Sequence, residues 1–557
     1  MVNIVAERTT PGTSDKQQMT GGQALVASLL RQGIDTIFAL PGVQLDGAFD
    51  ALYDAQNRGD VRVIHPRHEQ TAAYMADGYA RVTGRIGTCL VVPGPGLLNA
   101  SAALSTAYAC NSPVLCVTGQ IQSNMIGFGR GLLHEIPNQL EMIRSVTKHS
   151  ARATVPDAIP ALVDDAIRNL WDGRVRPVEI EIPPDTLFAN GEIALLAPVP
   201  ERARPEADPD SITAAAKLLG EATSPLIVAG GGVNDADATQ ELRELAEMLQ
   251  APVIMSTNGK GAISSHHYLA HPTVGAFQLM PKADVVLAVG TRFVEPATAP
   301  WGVKPGQQVI QLDIDEAEIG RNYPVEVGIH ADAKVGLAAL IDAVGMYNRS
   351  RPSREAELRQ VQQWETERFN TIQPQAGYAA AIRQELPEDG IFVGEMTQMA
   401  YFSNAAFPVY HPRTYFTPGY QGTLGWGYPT SLGVKVGAPD QVVISVNGDG
   451  GFGFALNELA TQARHGIASI TLVFNDGAYG NVKRIQEVDF AGRTIASDLT
   501  NPNYQKLAEA FGIAGRKATT PDELAVQLRE AIKANEPALI EIPVPPMPDI
   551  HLKLQLR

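Results

Sequence analysis

Ser445–Asn481 reads SVNGDGGFGFALNELATQARHGIASITLVFNDGAYGN. Two β-branched apolar runs, ISVNG and TLVFN, each end in a glycine-containing turn, and the helical stretch ALNELATQARHG lies between them. Strand, helix and strand in that length make one parallel crossover unit, which brings both strand ends to the same sheet edge. Asp449 follows the first strand, and Asn475 and Asp476 end the second, Asn475 lying 26 positions beyond Asp449. Two carboxylates and a backbone carbonyl can therefore meet beyond the carboxyl ends of the strands, where open α/β sheets bind ligands. Magnesium takes oxygen ligands in an octahedron and leaves part of its shell to phosphates. Gly448, Gly450 and Gly451 let backbone amides come close to such a phosphate.

The same alternation extends through the chain. From Thr20 to about Asp185, helices such as GQALVASLL and EQTAAYMADGYARVTG alternate with short apolar strands such as DTIFAL, IGTCLVV and SPVLCVTG. Thr20 can cap the first helix, Leu25, Leu29 and Leu30 form its buried stripe, and Gly33 can end it. A second run holds SPLIVAGGG, APVIMS, ADVVLAVGTRF and QQVIQLDIDEAEIG. The expected division is a polar N-terminal arm over 1–19, a first domain over 20–190, a proline-rich linker over 191–210 and a central domain over 211–345. A second linker over 346–374, a third domain over 375–545 and a tail over 546–557 complete it. Each domain is read as a doubly wound parallel sheet, and the overall class as α/β. The run RQVQQWETERF is read as a solvated amphipathic helix of the second linker.

Composition narrows the class of protein. In 557 residues, 44 basic against 60 acidic side chains leave a net charge of −16, which disfavours nucleic acid as a partner. No apolar stretch approaches the roughly 18 residues that span a bilayer, so no membrane partner is expected. The N-terminus lacks the apolar core of a secretion signal, and the three cysteines (Cys89, Cys110, Cys116) form no CxxC pair. A cytoplasmic address follows as the expectation.

Two further motifs accompany the first. In HPRHEQTAAYMADGYARVTG, Glu69 opens a helix directly after a strand, where an acidic side chain is ordinarily just a charge favoured by the helix dipole. In FTPGYQGTLGWGYPTSLG, Leu424 sits in a glycine-rich turn, where a leucine is ordinarily a core residue. Together with the GDG segment these stretches resemble the thiamine diphosphate enzymes, specifically their acetolactate synthase-like branch, over nearly the whole chain. The resemblance implies a pyrimidine-binding first domain, a diphosphate-binding third domain and an enzyme that acts on a carbon-carbon bond beside a carbonyl. It implies Mg2+ held by Asp449, Asp476 and the carbonyl of Ala478, with Asp476 standing where the family usually has asparagine. It makes Glu69 the carboxyl group bonded to the aminopyrimidine ring and Leu424 the wedge beneath the bent cofactor. Pro41, Gly42, Asn99, Gly448, Gly450, Gly451, Tyr479 and Gly480 are implied as cofactor-cleft residues. Because a family site forms between subunits, a homo-oligomer is implied, at least a dimer and often a tetramer.

Specificity is less directly written. Val43, Gln44, Gln120, Val482 and Ile485 are read as facing the substrate. Ile485 stands where biosynthetic acetohydroxyacid synthases carry a tryptophan, so the acceptor pocket differs. His134 is read as a proton donor or substrate contact, or else as a surface histidine of the loop GFGRGLLHEIPNQ. FAD stays open, because HPTVGAFQLMPKAD lacks the stretch that would hold a flavin ring. The leading reading is a carboligase that decarboxylates a small, pyruvate-like 2-oxo acid and adds the remaining unit to a second carbonyl. The alternatives with the same cofactor are a 2-oxo acid decarboxylase, an aldehyde lyase or an enzyme cleaving cyclic diketones. A non-catalytic or nucleotide-binding homologue is the alternative of a different class.

Overall fold

The computed structural model describes residues 15–200, 204–294 and 301–550. The expected N-terminal arm lies outside these residues but for its end, and the expected tail lies outside them beyond residue 550. Three sheets of six strands each, every one entirely parallel, carry the fold. The chain divides into two compact units, one ending at residue 202 and the other beginning at 203, and the second contains two of the sheets.

In the first unit the strands lie in the order Arg62–Ile64, Thr36–Ala39, Gly87–Val91, Val114–Gly119, Val178–Ile182, His149–Arg152. Counted in chain order within the sheet, this is 2-1-3-4-6-5. The third sheet repeats it with Tyr415–Phe416, Ile391–Gly394, Val443–Gly448, Ile470–Asn475, Ala538–Pro543 and Ala514–Lys517. The middle sheet runs 3-2-1-4-5-6 instead: Ala270–Pro272, Val253–Met255, Pro225–Ala229, Val285–Val289, Gln308–Asp313, Val327–His330. In the outer two sheets the winding therefore reverses between the first and third strands, and the crevice at such a switch point is where doubly wound folds take ligands.

Local sequence explains the elements. Central strands such as Val114–Gly119 and Val285–Val289 are buried along their whole length, as continuous apolar runs in parallel sheets must be. The first helix, Gly21–Arg31, starts with a capping box in which Thr20 Oγ1 accepts from Gln23 N at 3.2 Å and Gln23 Oε1 accepts from Thr20 N at 2.9 Å. Gly33, at φ 76°, follows its end. Gln17–Thr20 pairs antiparallel with Asn190–Ile193, so the end of the expected arm is tied to the first unit. Cys89 and Cys116 are buried opposite each other on neighbouring strands, as small apolar residues.

The helix Glu355–Asn370 differs from its expected solvated state. It buries Leu358 and Val361 in the core of the middle sheet and lays Trp364 and Phe369 against the core of the third. Its buried Glu365 accepts from His271 Nδ1 across 2.9 Å. The physical reason is its apolar stripe, which is wide enough to serve two cores at once.

Candidate active site

In the first unit, the carboxyl edge of the sheet gathers seven of the expected residues. Glu69 begins the helix Glu69–Thr83, where His68 caps by accepting from Gln70 N through Nδ1 at 3.2 Å. The helix from Thr71 to Ala80 is buried throughout and packs along the helix Pro95–Cys110, which begins with proline at its first position. That packing aligns Asn99 with Glu69, and Asn99 Nδ2 donates to Glu69 Oε2 at 3.0 Å. Glu69 is half-buried within its unit. Gly42 lies at the switch point: a Cβ there would come 2.2 Å from Val92 Cγ1, and one on Gly96 would come 2.6 Å from Val92 Cγ2 and 3.6 Å from Glu69 Cγ. Only glycines allow the turns after Ala39 and Val91 to close on each other in this way.

Gln44 is buried beside them, in the turn Val43–Leu45, while Val43 is 58% exposed. Gln44 Nε2 donates to Leu133 O at 3.1 Å, and Gln44 Oε1 lies 3.1 Å from His134 Nδ1. His134 therefore belongs to this edge, joined to the switch-point turn through Gln44. Gln120 is also buried, but its amide is occupied within the unit. Its Nε2 donates to Glu181 Oε1 at 3.2 Å, and its Oε1 accepts from Ile121 N at 2.7 Å. Glu181 in turn is bonded by Arg152 and by Gln139 Nε2, the latter at 2.7 Å.

The third sheet forms the other group. Gly448 and Phe474 are register partners on neighbouring parallel strands, so Asp449 and Asn475 leave the sheet side by side. Asp449 is buried and accepts from Gly477 N at 3.0 Å and from Asn501 Nδ2 at 2.5 Å. Asn501 Nδ2 also donates to Asn475 Oδ1 at 2.9 Å. Asp476 Oδ2 accepts from Gln398 Nε2 at 3.0 Å, and Gln398 is itself held by Gln375 at 2.6 Å. Ala478 bridges antiparallel to Asp498: Tyr479 N donates to Ser497 O and Leu499 N donates to Gly477 O, both at 2.8 Å. The carbonyl of Ala478 stays outside that short ladder.

Electrostatics sets this loop apart. Burial pushes the Asp449 carboxyl up, against hydrogen bonds that pull it down. Asp476 is raised to about 6, by burial first and by the charge of Asp449 second. Two desolvated acids, one raised further by the charge of the other, beside a carbonyl that the ladder does not use, suit a hard divalent cation.

The glycines around the acids are dictated by close approach. A Cβ on Gly451 would come 1.9 Å from Glu395 Oε1, one on Gly450 2.7 Å from the Tyr479 ring and one on Gly480 2.5 Å from Asp476 Oδ2. Leu424 stands half-buried between Gly422 and Gly425, which adopt φ 57° and 78°. Val482 and Ile485 share one face of the helix Gly480–Asp489, none of whose residues is buried within the unit. Three polar residues here had no local signal in the sequence: Asn501 in the irregular stretch after the helix Gly480–Asp489, Gln398 at a helix start, and Glu395. Glu395 is buried beneath the GDGG turn and accepts from Gly425 N at 2.5 Å.

Comparison with known proteins gives this arrangement its class. Residues 19–142, 212–340 and 395–542 match, respectively, the N-terminal TPP binding, central and C-terminal TPP binding domain models of the thiamine pyrophosphate enzymes. The chain is 33% identical to the probable acetolactate synthase large subunit of Methanocaldococcus jannaschii, over 95% of this chain and 92% of that one. It is 32% identical to the acetolactate synthase large subunit of Haemophilus influenzae, over 92% of each chain. It is also 34% identical to the probable 2-ketoarginine decarboxylase AruI of Pseudomonas aeruginosa, over 95% of this chain and 94% of that one. The chain belongs to the thiamine pyrophosphate enzyme family. Within that family it is an acetolactate synthase-like enzyme that forms or cleaves carbon-carbon bonds, and the non-catalytic alternative falls away.

Proposed function

We propose that the protein is a carboligase of acetolactate synthase type, which decarboxylates a small 2-oxo acid and joins the remaining unit to a second carbonyl. The observation that carries this reading is full-length similarity, at 32–33% identity, to chains named acetolactate synthase large subunit. Thiamine pyrophosphate, when bound, supplies a carbon nucleophile for a carbonyl and a sink for the electrons released beside it. Asp449, Asp476 and the Ala478 carbonyl hold Mg2+, while Gly448, Gly450, Gly451, Tyr479 and Gly480 line the phosphate cradle.

Glu69, oriented by Asn99, would bond the aminopyrimidine of the cofactor, and Leu424 would lie against the cofactor rings. Pro41 and Gly42 complete the cleft, and Val43, Gln44, Gln120, His134, Val482 and Ile485 lie toward the substrate. The domain limits 20–190, 211–345 and 375–545, a cytoplasmic address and a homo-oligomer belong to the same proposal. FAD is left out of it. The triple glycine at Gly230–Gly232 is accounted for by packing, since a Cβ on Gly230 would come 2.1 Å from Gly290 O and one on Gly232 2.8 Å from Gly290 Cα.

The full-length similarity to a probable 2-ketoarginine decarboxylase favours one second reading, simple decarboxylation of a 2-oxo acid. Product analysis separates the two. Incubated with pyruvate, TPP and Mg2+, a carboligase releases carbon dioxide and accumulates acetolactate. Acetaldehyde alone, or turnover confined to a guanidino-bearing 2-oxo acid with release of its aldehyde, would replace the first reading by the second.

A further inference from the structure

His134 adopts φ 68°, a left-handed conformation unusual for a residue with a side chain. Its carbonyl is pressed against Gly94, where a Cβ would come within 2.2 Å of it. Gly94 is fixed in turn, because its N–H donates to Gln139 Oε1 at 2.9 Å and Gln139 Nε2 donates to Gly119 O at 3.1 Å and to Glu181. Gln44 packs at the same place, its Cβ 3.3 Å from where a Gly119 Cβ would stand. A backbone strained at one position and held from two strand-end turns is a sign that the side chain must point one way.

Hydrogen-bond logic then determines what that side chain offers. The carbonyl of Leu133 can only accept, so the Gln44 amide must turn its nitrogen toward it, at 3.1 Å. Gln44 Oε1 is thereby left facing His134 Nδ1, and an amide oxygen can only accept. Nδ1 must carry the hydrogen, and in the neutral ring Nε2 holds the lone pair. Sequence alone makes Gln44 a substrate contact and His134 a proton donor or substrate contact, or else a surface histidine. The bonding gives Gln44 a supporting role and, in the uncharged ring, leaves His134 Nε2 as the acceptor.

We propose that Gln44 is a positioning residue that fixes the Nδ1–H tautomer of His134, so that His134 Nε2 takes the proton of a substrate-derived hydroxyl group. The O–H bond breaks, its electron pair stays on oxygen and the proton passes to Nε2. The imidazolium so formed keeps its Nδ1–H bond to Gln44, now charge-assisted and stronger. This role rests on the proposed 2-oxo acid chemistry, whereas the tautomer does not.

The test is nitrogen NMR of the full chain labelled with 15N-histidine, with His134 assigned by the signals missing from His134→Asn. The expected wild-type pattern is a protonated Nδ1 and a bare Nε2. Gln44→Leu should shift that ring toward the opposite tautomer, and Gln44→Glu, which keeps the accepting oxygen, should restore it. With pyruvate as donor, Gln44→Leu and His134→Ala should each lower kcat by about a hundredfold, with KM and TPP affinity within about twofold of wild type. A wild-type His134 protonated at Nε2, or a Gln44→Leu protein with unchanged tautomer and kcat, would overturn the proposal. Absence of any 2-oxo acid turnover, with the expected NMR pattern intact, would overturn the proton-transfer role together with the proposed function while leaving the tautomer assignment standing.

Discussion

Replacing Glu395 by glutamine tests how the third domain supports its GDGG turn. Glu395 is buried between the GDGG turn and the turn carrying Leu424, and its Oε2 has no hydrogen-bond partner. Burial raises its carboxyl to about 8, against N–H groups of Gly425 and Gly427 that pull it down. In the unfolded chain the same group titrates near 4.5. Between those values the folded protein keeps the proton and the unfolded chain releases it. The unfolded state therefore binds fewer protons in that window, and stability falls as pH rises through it.

Glutamine has the same shape, keeps an oxygen for Gly425 N and has no proton to release. At about 1.4 kcal/mol per pH unit, with a small rollover near 8, the wild type should lose about 2.5 kcal/mol relative to Glu395→Gln between pH 5.5 and 7.5. For a domain of this size that corresponds to roughly 5–10 °C in Tm. Scanning calorimetry of both proteins at both pH values measures it, and effects of the substitution that do not depend on pH cancel in the comparison. A difference in Tm that stays constant, or that shrinks toward pH 7.5, would refute a protonated Glu395.

Asn501→Ala should weaken Mg2+-dependent TPP binding by roughly 10–100-fold, because it removes the side-chain donor that orients Asp449, and calorimetric titration checks this. Asp476→Asn keeps an oxygen ligand of the type usual in the family and should retain Mg2+-dependent TPP binding, whereas Asp476→Ala should lose it. Binding unaffected by Asp476→Ala would remove Asp476 from the metal site. Glu69→Gln should lower kcat by roughly 10²–10⁴-fold with little change in Tm, since Asn99 can still bond the amide oxygen at 69. Steady-state kinetics alongside thermal unfolding separates that from a folding defect.

The positions of the three acids were readable in the sequence because each follows the end of a strand. A glycine-terminated apolar run locates Asp449, a second run one crossover later locates Asp476, and a glutamate just after a strand locates Glu69. What sequence could not supply comes from residues brought in over long loops or from the order of the strands. Asn501 lies 52 positions from Asp449, and Gln398 lies 78 from Asp476, so no local periodicity ties either pair together. Gly450 and Gly451 read simply as places where a backbone approaches a phosphate, yet Tyr479 and Glu395 crowd them from neighbouring elements. The direction of Gln44 was invisible for the same reason, because its partners Leu133 and His134 lie 89 and 90 positions away. The shared 2-1-3-4-6-5 winding of the outer sheets likewise depends on which strands pair, a property that three similar alternations of helix and strand leave undetermined.

A crystal structure of the protein with TPP and Mg2+ bound would examine the assignment of its active site most directly. The expected result is a metal ion ligated by the Asp449 and Asp476 carboxylates and the Ala478 carbonyl, with the Glu69 carboxyl of a subunit in hydrogen-bond contact with the aminopyrimidine ring. A metal ion bound away from the two aspartates, or a pyrimidine ring that no Glu69 touches, would contradict it.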